Sequence, residues 1–251
     1  SLQWLNLNWD SEIFFQSRNA SEHVKYANLL LNKGLAYKCY CTKEELNKEK
    51  ELALKKKIPY KYSGKCRNLK ENYNKKYVLR IKTPKNGFIK LQDNIQGLVN
   101  VEYNNLEDFI ILRSDNTPTY MLAVVVDDYT MNVTDVIRGD DHLTNTFKQI
   151  ILYNSLSWKL PNFSHIPLIY GSDGSKLSKR HGAQSVLEYK KDNLLPEALN
   201  NYLLRLGWGH KDKEYFSTEE AIKLFNIKGI GKSPSRFDAI KLKSVNSYYF
   251  K

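Results

Sequence analysis

The stretch between Pro118 and Gly174 constrains the fold of this 251-residue chain most tightly. An apolar run over residues 120–126 leads to a short strand pattern at 133–137 that stops at Arg138-Gly139. Helical spacing follows over 145–153, then a second short apolar strand pattern over 165–170, and Gly171-Ser172-Asp173-Gly174 turns the chain. Strand, helix and strand in this order predict half of a parallel, doubly wound α/β sheet. In such sheets, ligands bind outside the carboxyl ends of the strands, which is where Arg138 falls. The run 120–126 is continuously apolar, so periodicity assigns it to neither helix nor strand.

The segments on either side differ in texture. Val24, Ala27, Leu30 and Leu31 share a helical face, and Gly34 stands where a glycine closes a helix. Leu35, Tyr37, Cys39 and Cys41 alternate with Ala36, Lys38 and Tyr40, as in a strand. Thr42-Lys43-Glu44-Glu45 reads as a capping box opening a charged helix that Pro59 closes. Residues 77–82, 98–103 and 109–113 read as strands, so 36–118 is predicted to be mixed α/β with short elements. The tail is predicted helical, with Leu199, Leu203 and Leu206 on one face and a second capping box at Ser217-Thr218-Glu219-Glu220. The expected divisions are 1–35, 36–118, 119–186 and 187–251.

Composition narrows the partners. Thirty-nine Lys and Arg against 27 Asp and Glu give +12 and a pI near 9.4, a field that favours nucleic acid, anionic membrane or phosphorylated ligands; with no compact Arg-rich tract, the other reading is a Lys-rich composition that merely keeps a protein soluble. No apolar run reaches the ~20 residues of a membrane span, and no charged leader or cleavage site opens the chain. With no initiator Met, the chain is expected to begin inside a larger protein. Three cysteines are an odd count and predict no disulfide framework, so a reducing cytoplasm is the expected compartment.

Three segments carry candidate chemistry. Lys176-Leu177-Ser178-Lys179-Arg180 follows a predicted strand and a Gly-rich turn; its cations suit the charge that builds on a leaving pyrophosphate, or form a solvated basic loop. Arg138 lies in Asp135-Val136-Ile137-Arg138-Gly139-Asp140-Asp141-His142, where its planar fork matches a carboxylate ligand or else pairs structurally with Asp140 or Asp141. The pairs Asp127-Asp128 and Asp140-Asp141 also raise Mg²⁺, but their spacing marks no dedicated cage. Cys39 and Cys41 share a strand face, and with Cys66 they make up all the cysteines; the group reads as a zinc site or as buried unligated thiols.

Taken in order, these pieces resemble the bacterial-type glutamyl-tRNA synthetase family of class I. Lys176-Leu177-Ser178-Lys179-Arg180 looks like that family's signature loop. Ser114-Asp115-Asn116-Thr117-Pro118-Thr119-Tyr120, Asp135 to His142, Pro196-Glu197-Ala198 and Leu206-Gly207-Trp208 follow as they do there, and Cys39, Cys41, Tyr62 and Cys66 match the zinc pattern of some members. The resemblance implies an α/β fold: the second half of a class I Rossmann-like parallel sheet at 119–186, following the end of the first half at 1–35. It implies an inserted α+β domain for the tRNA acceptor stem at 36–118 and the start of a helical stem-contact region at 187–251. Tyr120 and Arg138 would bind glutamate. Asp141 and His142 would lie beside the adenosine or the terminal nucleotide of the tRNA. Lys176, Leu177, Ser178, Lys179 and Arg180 would bind ATP, which enters with Mg²⁺, and Lys176 and Lys179 would act in catalysis. Glutamate, ATP and tRNA would be the partners, no membrane is involved, and a monomer is expected.

The sequence departs from the family in two ways. The HIGH-type motif near the family's N-terminus has no counterpart here, nor has the anticodon-binding region. Zinc-binding members usually carry a His two residues after the third Cys, and here Asn68 stands there, leaving Tyr62 or water as fourth ligand. Glutaminyl-tRNA synthetase, glutamyl-queuosine tRNA synthetase and a non-catalytic RNA- or zinc-binding module are the alternatives. The first lacks the paired cysteines, and the second lacks the long helical continuation at 196–251.

Overall fold

The structure, a computed structural model, describes residues 1–69, 75–177 and 184–250. Helix α1 (Ala20–Asn32) buries His23, Ala27 and Leu30. It is closed by Gly34 at φ +69°, a left-handed conformation that glycine adopts without a Cβ penalty. The reversed chain enters β1 (Ala36–Cys39), which buries Ala36, Tyr37 and Cys39. Helix α2 (Lys43–Lys55) opens as expected: Thr42 Oγ1 accepts from the Glu45 N–H, and the Glu45 carboxylate accepts from the Thr42 N–H.

Strand β2 (Val78–Ile81) pairs antiparallel with β1; two further strands, β3 (Phe88–Asp93) and β4 (Gly97–Glu102), form an antiparallel hairpin. The sequence reading found β4 but not β3. Burial nevertheless alternates strictly along β3, with Ile89, Leu91 and Asp93 inside. Its inward face ends on a carboxylate, which an apolar alternation does not register. Strand β5 (Ile110–Leu112) completes the three-stranded sheet β1-β2-β5.

The ambiguous run at 120–126 is helix α3 (Tyr120–Thr130), with Leu122, Ala123, Val125 and Val126 buried. It packs against α1, β5 and α4 (Leu143–Leu156), so most of its circumference meets protein and little amphipathic signal is left. Strands β6 (Asp135–Gly139) and β7 (Asn162–Ile166) flank α4 and pair in parallel, with Arg138 opposite His165. The segment 165–170, expected as one strand, is two. Pro167 has no N–H to extend the ladder. Strand β8 (Ile169–Tyr170) instead pairs in parallel with β9 (Ser235–Arg236), a strand not expected from sequence.

The tail is helical: α5 (Val186–Lys191), α6 (Pro196–Gly207), α7 (Thr218–Leu224) and α8 (Ala239–Tyr249). Ser217 and Glu220 form the second capping box. The expected α6 face is only partly buried, since Leu199 is inside while Leu203 is 39% exposed. One apolar cluster runs through α1, the β1-β2-β5 sheet, β3, α3, α4 and β7, and a second joins Leu5 to α6 and α8. The fold is mixed α/β, with parallel and antiparallel pairing side by side.

Candidate active site and cysteine cluster

Arg138 stands at the carboxyl end of β6, next to the start of α4. Its Nη2 donates to Thr146 Oγ1 at 2.6 Å and to Gln149 Oε1 at 2.8 Å, and its Nε donates to His165 Nε2 at 3.3 Å. Thr146 and Gln149 lie three residues apart on α4 and therefore share a face. All three acceptors are neutral. Among the described residues no carboxylate lies within ion-pair distance of Arg138, so the alternative pairing with Asp140 or Asp141 is not formed. Burial lowers the guanidinium pKa, while Tyr120, Asp128 and Asp141 oppose that shift. The geometry is thus a half-buried cation, held in direction by neutral groups, whose charge no neighbour cancels at close range.

Tyr120 opens α3 and is 45% exposed, its ring 6.0 Å from that of His142. His142 is the residue before α4, with Nδ1 3.2 Å from Asn145 Nδ2. Asp128 lies along α3; burial raises its pKa, and Asp127 adds to that against Arg138. Asp141 and Lys176 meet at 2.6 Å, and the Lys176 hydrogen bond holds the Asp141 carboxyl below its ordinary range. Leu177 donates its N–H to the Ile169 carbonyl, which ties this end of the signature segment to β8. Ser178, Lys179 and Arg180 lie outside the described residues.

Sequence reasoning missed His165 and Asp93. His165 is fully buried, with Nδ1 2.6 Å from Asp93 Oδ2 and Nε2 2.9 Å from Thr146 Oγ1. A turn-forming Asp93-Asn94 ahead of Gly97, and a lone His in a short, mostly apolar strand, were the signals available.

The second acidic pair is also engaged. Asp127 accepts from Gln16 and Asn19 and pairs with the buried His23 at 2.7 Å. Among the described residues, the group of His, Cys, Asp or Glu placed to share an ion is Cys39, Cys41 and Cys66, with Sγ atoms all within 4.8 Å. Tetrahedral zinc with Zn–S near 2.3 Å sets sulfurs ~3.8 Å apart, so these thiols fit with small adjustments. Tyr62 places one oxygen beside these sulfurs, its hydroxyl 3.3 Å from Cys39 Sγ and 3.5 Å from Cys41 Sγ. Burial pushes the Cys41 thiol up to about 12 and raises the Tyr62 hydroxyl as well. Burial also acts to raise Cys39, but hydrogen bonds from Tyr62, the Cys41 backbone and Arg80 outweigh it and hold that thiol low. Arg80 is buried with its guanidinium 3.8 Å over the Tyr62 ring, so the cluster has a cation beside it to offset thiolate charge. Asn68 is exposed.

The family of class I tRNA synthetases (E and Q), catalytic domain, matches residues 1–244. The chain belongs to that family. Relatives are the glutamate–tRNA ligase of Pelagibacter ubique, 49% identical over 254 residues, and glutamate–tRNA ligase 2 of Rhodospirillum rubrum, 51% identical over 253. Each alignment takes in 100% of this chain and 54% of the relative, so the chain spans about half the length of the curated relatives it matches. The crystal structure of a glutamate tRNA ligase from Elizabethkingia meningosepticum, in complex with its amino acid, superposes with a TM-score of 0.90 at 30% identity, covering 99% of this chain and 58% of that one. The parallel pair β6-β7 with its crossover helix is thus part of a class I synthetase catalytic fold.

Proposed function

We propose that this chain carries the amino-acid and acceptor-end machinery of a glutamate–tRNA ligase, which joins glutamate to tRNA at the expense of ATP. The observation that carries the reading is Arg138, a directed, half-buried cation with neutral partners at a strand's carboxyl end. With Nε and Nη2 held by His165, Thr146 and Gln149, Nη1 is the nitrogen left to donate to an anion, and the side-chain carboxylate of glutamate is that ligand. Tyr120, at the same end of the fold, completes the amino-acid site. Asp141 and His142 border the adenosine or the terminal nucleotide, and residues 176–180 bind the ATP phosphates, which enter with Mg²⁺.

The reaction is an adenylyl transfer followed by an acyl transfer. An α-carboxylate oxygen of glutamate attacks the α-phosphorus, the bond to the bridging oxygen breaks, and pyrophosphate leaves with the electron pair. A terminal ribose hydroxyl of the tRNA then attacks the adenylate carbonyl, giving up its proton as AMP departs. Residues 36–118 form the acceptor-stem-binding insert and 187–251 the helical stem contact, with the net +12 matched to the tRNA backbone. The protein works as a monomer in the cytoplasm.

Arg138→Ala in the full-length protein tests the reading. A site built around such a charge pair rejects a mismatch by ~10⁴-fold, so glutamate use should fall by orders of magnitude while the KM for ATP holds. An unchanged KM and turnover for glutamate would reduce Arg138 to a structural residue. Zinc held by Cys39, Cys41 and Cys66, with Tyr62 or water in the fourth position, would fix the start of the insert structurally. Elemental analysis of protein purified without chelator should give about one zinc per chain, lost in Cys41→Ser. A native protein with only traces of zinc would leave three buried thiols.

A further inference from the structure

We propose that Asp93 is a positioning residue for the amino-acid site: acting through His165, it fixes which ring nitrogen carries the proton, so that an unprotonated Nε2 faces Arg138. The inference rests on the reading of Arg138 as the carboxylate-binding group.

The tip of the β3-β4 hairpin is clamped onto β7 by bonds to three consecutive residues. Asn94 N–H donates to the Phe163 carbonyl at 2.9 Å, Asn94 Nδ2 to Ser164 Oγ at 3.0 Å, and Gln96 Nε2 to the His165 carbonyl at 2.9 Å. Asp93 is 1% exposed at the root of this tip. Its Oδ1 accepts from the backbone N–H groups of Ile95, Gln96 and His165, at 2.9, 2.8 and 3.2 Å. Its Oδ2 faces His165 Nδ1 at 2.6 Å.

The donors and acceptors then assign themselves. An ionised carboxylate only accepts, so Nδ1 carries the proton. Burial acts to raise the Asp93 pKa, but the backbone and His165 hydrogen bonds outweigh it and keep the carboxyl ionised; burial and the Arg138 cation lower that of His165 and keep its ring neutral. Nε2 is therefore a lone pair. It can accept from Thr146 Oγ1 at 2.9 Å and from Arg138 Nε at 3.3 Å, while Thr146 Oγ1 accepts from Arg138 Nη2. With the proton on Nε2, the ring would present an N–H to the Arg138 Nε–H, and a donor would face a donor. Asp93, 72 residues away in sequence on a different sheet, is the group that excludes this arrangement.

Asp93→Asn separates this role from packing, because the side chain keeps its size. Three backbone donors require oxygen at the Oδ1 position, so the amide NH₂ must face Nδ1. That drives the imidazole proton to Nε2, against Arg138. In the full-length protein the KM for glutamate should rise by about tenfold or more, the cost range of an unmatched buried polar group, with the KM for ATP unchanged within about twofold. His165→Gln supplies an amide oxygen near the Nε2 position with no tautomer to control. In that background Asp93→Asn should add less than about twofold to the glutamate KM. Nitrogen-15 spectra of the His165 ring provide a readout that does not depend on the variant folding: native protein should show the proton on Nδ1.

A native ring protonated on Nε2, or an equal glutamate penalty from Asp93→Asn with and without His165→Gln, would overturn the proposal. An unchanged glutamate KM in a folded Asp93→Asn protein would also overturn it, even where Arg138→Ala abolishes glutamate use. If Arg138→Ala itself leaves glutamate use intact, it is the underlying reading of Arg138 that fails.

Discussion

His165 meets Asp93 from β3 and Arg138 from β6, one charge of each sign, with Asp140 as a further carboxylate, in a position fully closed to water. Its pKa is lowered, with burial the largest cause and Arg138 acting the same way against Asp93. The sign follows from linkage. As pH falls below the unfolded value near ~6.5, the unfolded chain takes a proton that the folded ring refuses, so stability drops with pH until the folded pKa is reached. Asp93, also lowered, extends the loss: its contribution is present above ~3.9 and fades as pH falls through its folded value. Urea unfolding from pH 7.5 down to 5 should show declining stability, and His165→Gln should flatten that slope. A slope unaltered by the substitution would assign the acid loss to other groups. Arg138 was legible beforehand because a strand's carboxyl end is a place that sequence order alone can locate. The Asp93–His165 contact was not, since a buried pair 72 residues apart leaves no local pattern.

Elements with chemistry at their ends were read most reliably. Both capping boxes are formed, because the motif depends only on neighbours three residues apart. Thr42→Ala should therefore cost about 1 kcal/mol. The cap is exposed, so a lower denaturation midpoint with an unchanged slope in urea is the expected signature. No change in midpoint would mean that α2 is held by Lys65, which reaches Glu45 and Glu49, rather than by its cap. What failed at this scale failed for lack of contrast. α3 is apolar over most of its surface because α1, α4 and β5 cover it, so neither period stood out. β3 shows the right period, but its last inward residue is Asp93, whose burial depends on partners from another element. The break at Pro167 was visible in the sequence, yet the partner that makes β8 a strand is β9, 66 residues further along.

At the scale of the whole molecule, the proposed tRNA contact and the proposed ATP chemistry make different demands on a cation, and Lys179 is where they can be told apart. The segment 176–180 is anchored at its start: Lys176 bridges Tyr170, Leu177 bonds Ile169, and Lys176 reaches Asp141 beside the Arg138 site. Lys179 itself lies outside the described residues, so its role rests on that anchor and on the chemistry. Negative charge moves onto pyrophosphate as the adenylate forms. An ammonium that meets this charge only in the transition state lowers the barrier more than it tightens ground-state binding. Losing one such contact typically costs ~3 kcal/mol, on the order of 10²-fold in rate. Binding to tRNA, in contrast, would sum many phosphate contacts, each releasing counterions and contributing about −0.7 to −0.9 to the slope of log affinity against log salt, the values for single strands and for B-DNA. Lys179→Ala in the full-length protein should thus slow adenylate formation strongly in rapid-quench measurements. Its tRNA affinity should stay within a few-fold, and its salt slope should move by no more than about one contact. Collapse of tRNA affinity with an intact adenylation rate at saturation would make the segment an RNA contact, and the phosphate assignment would pass to other residues around Asp141 and His142.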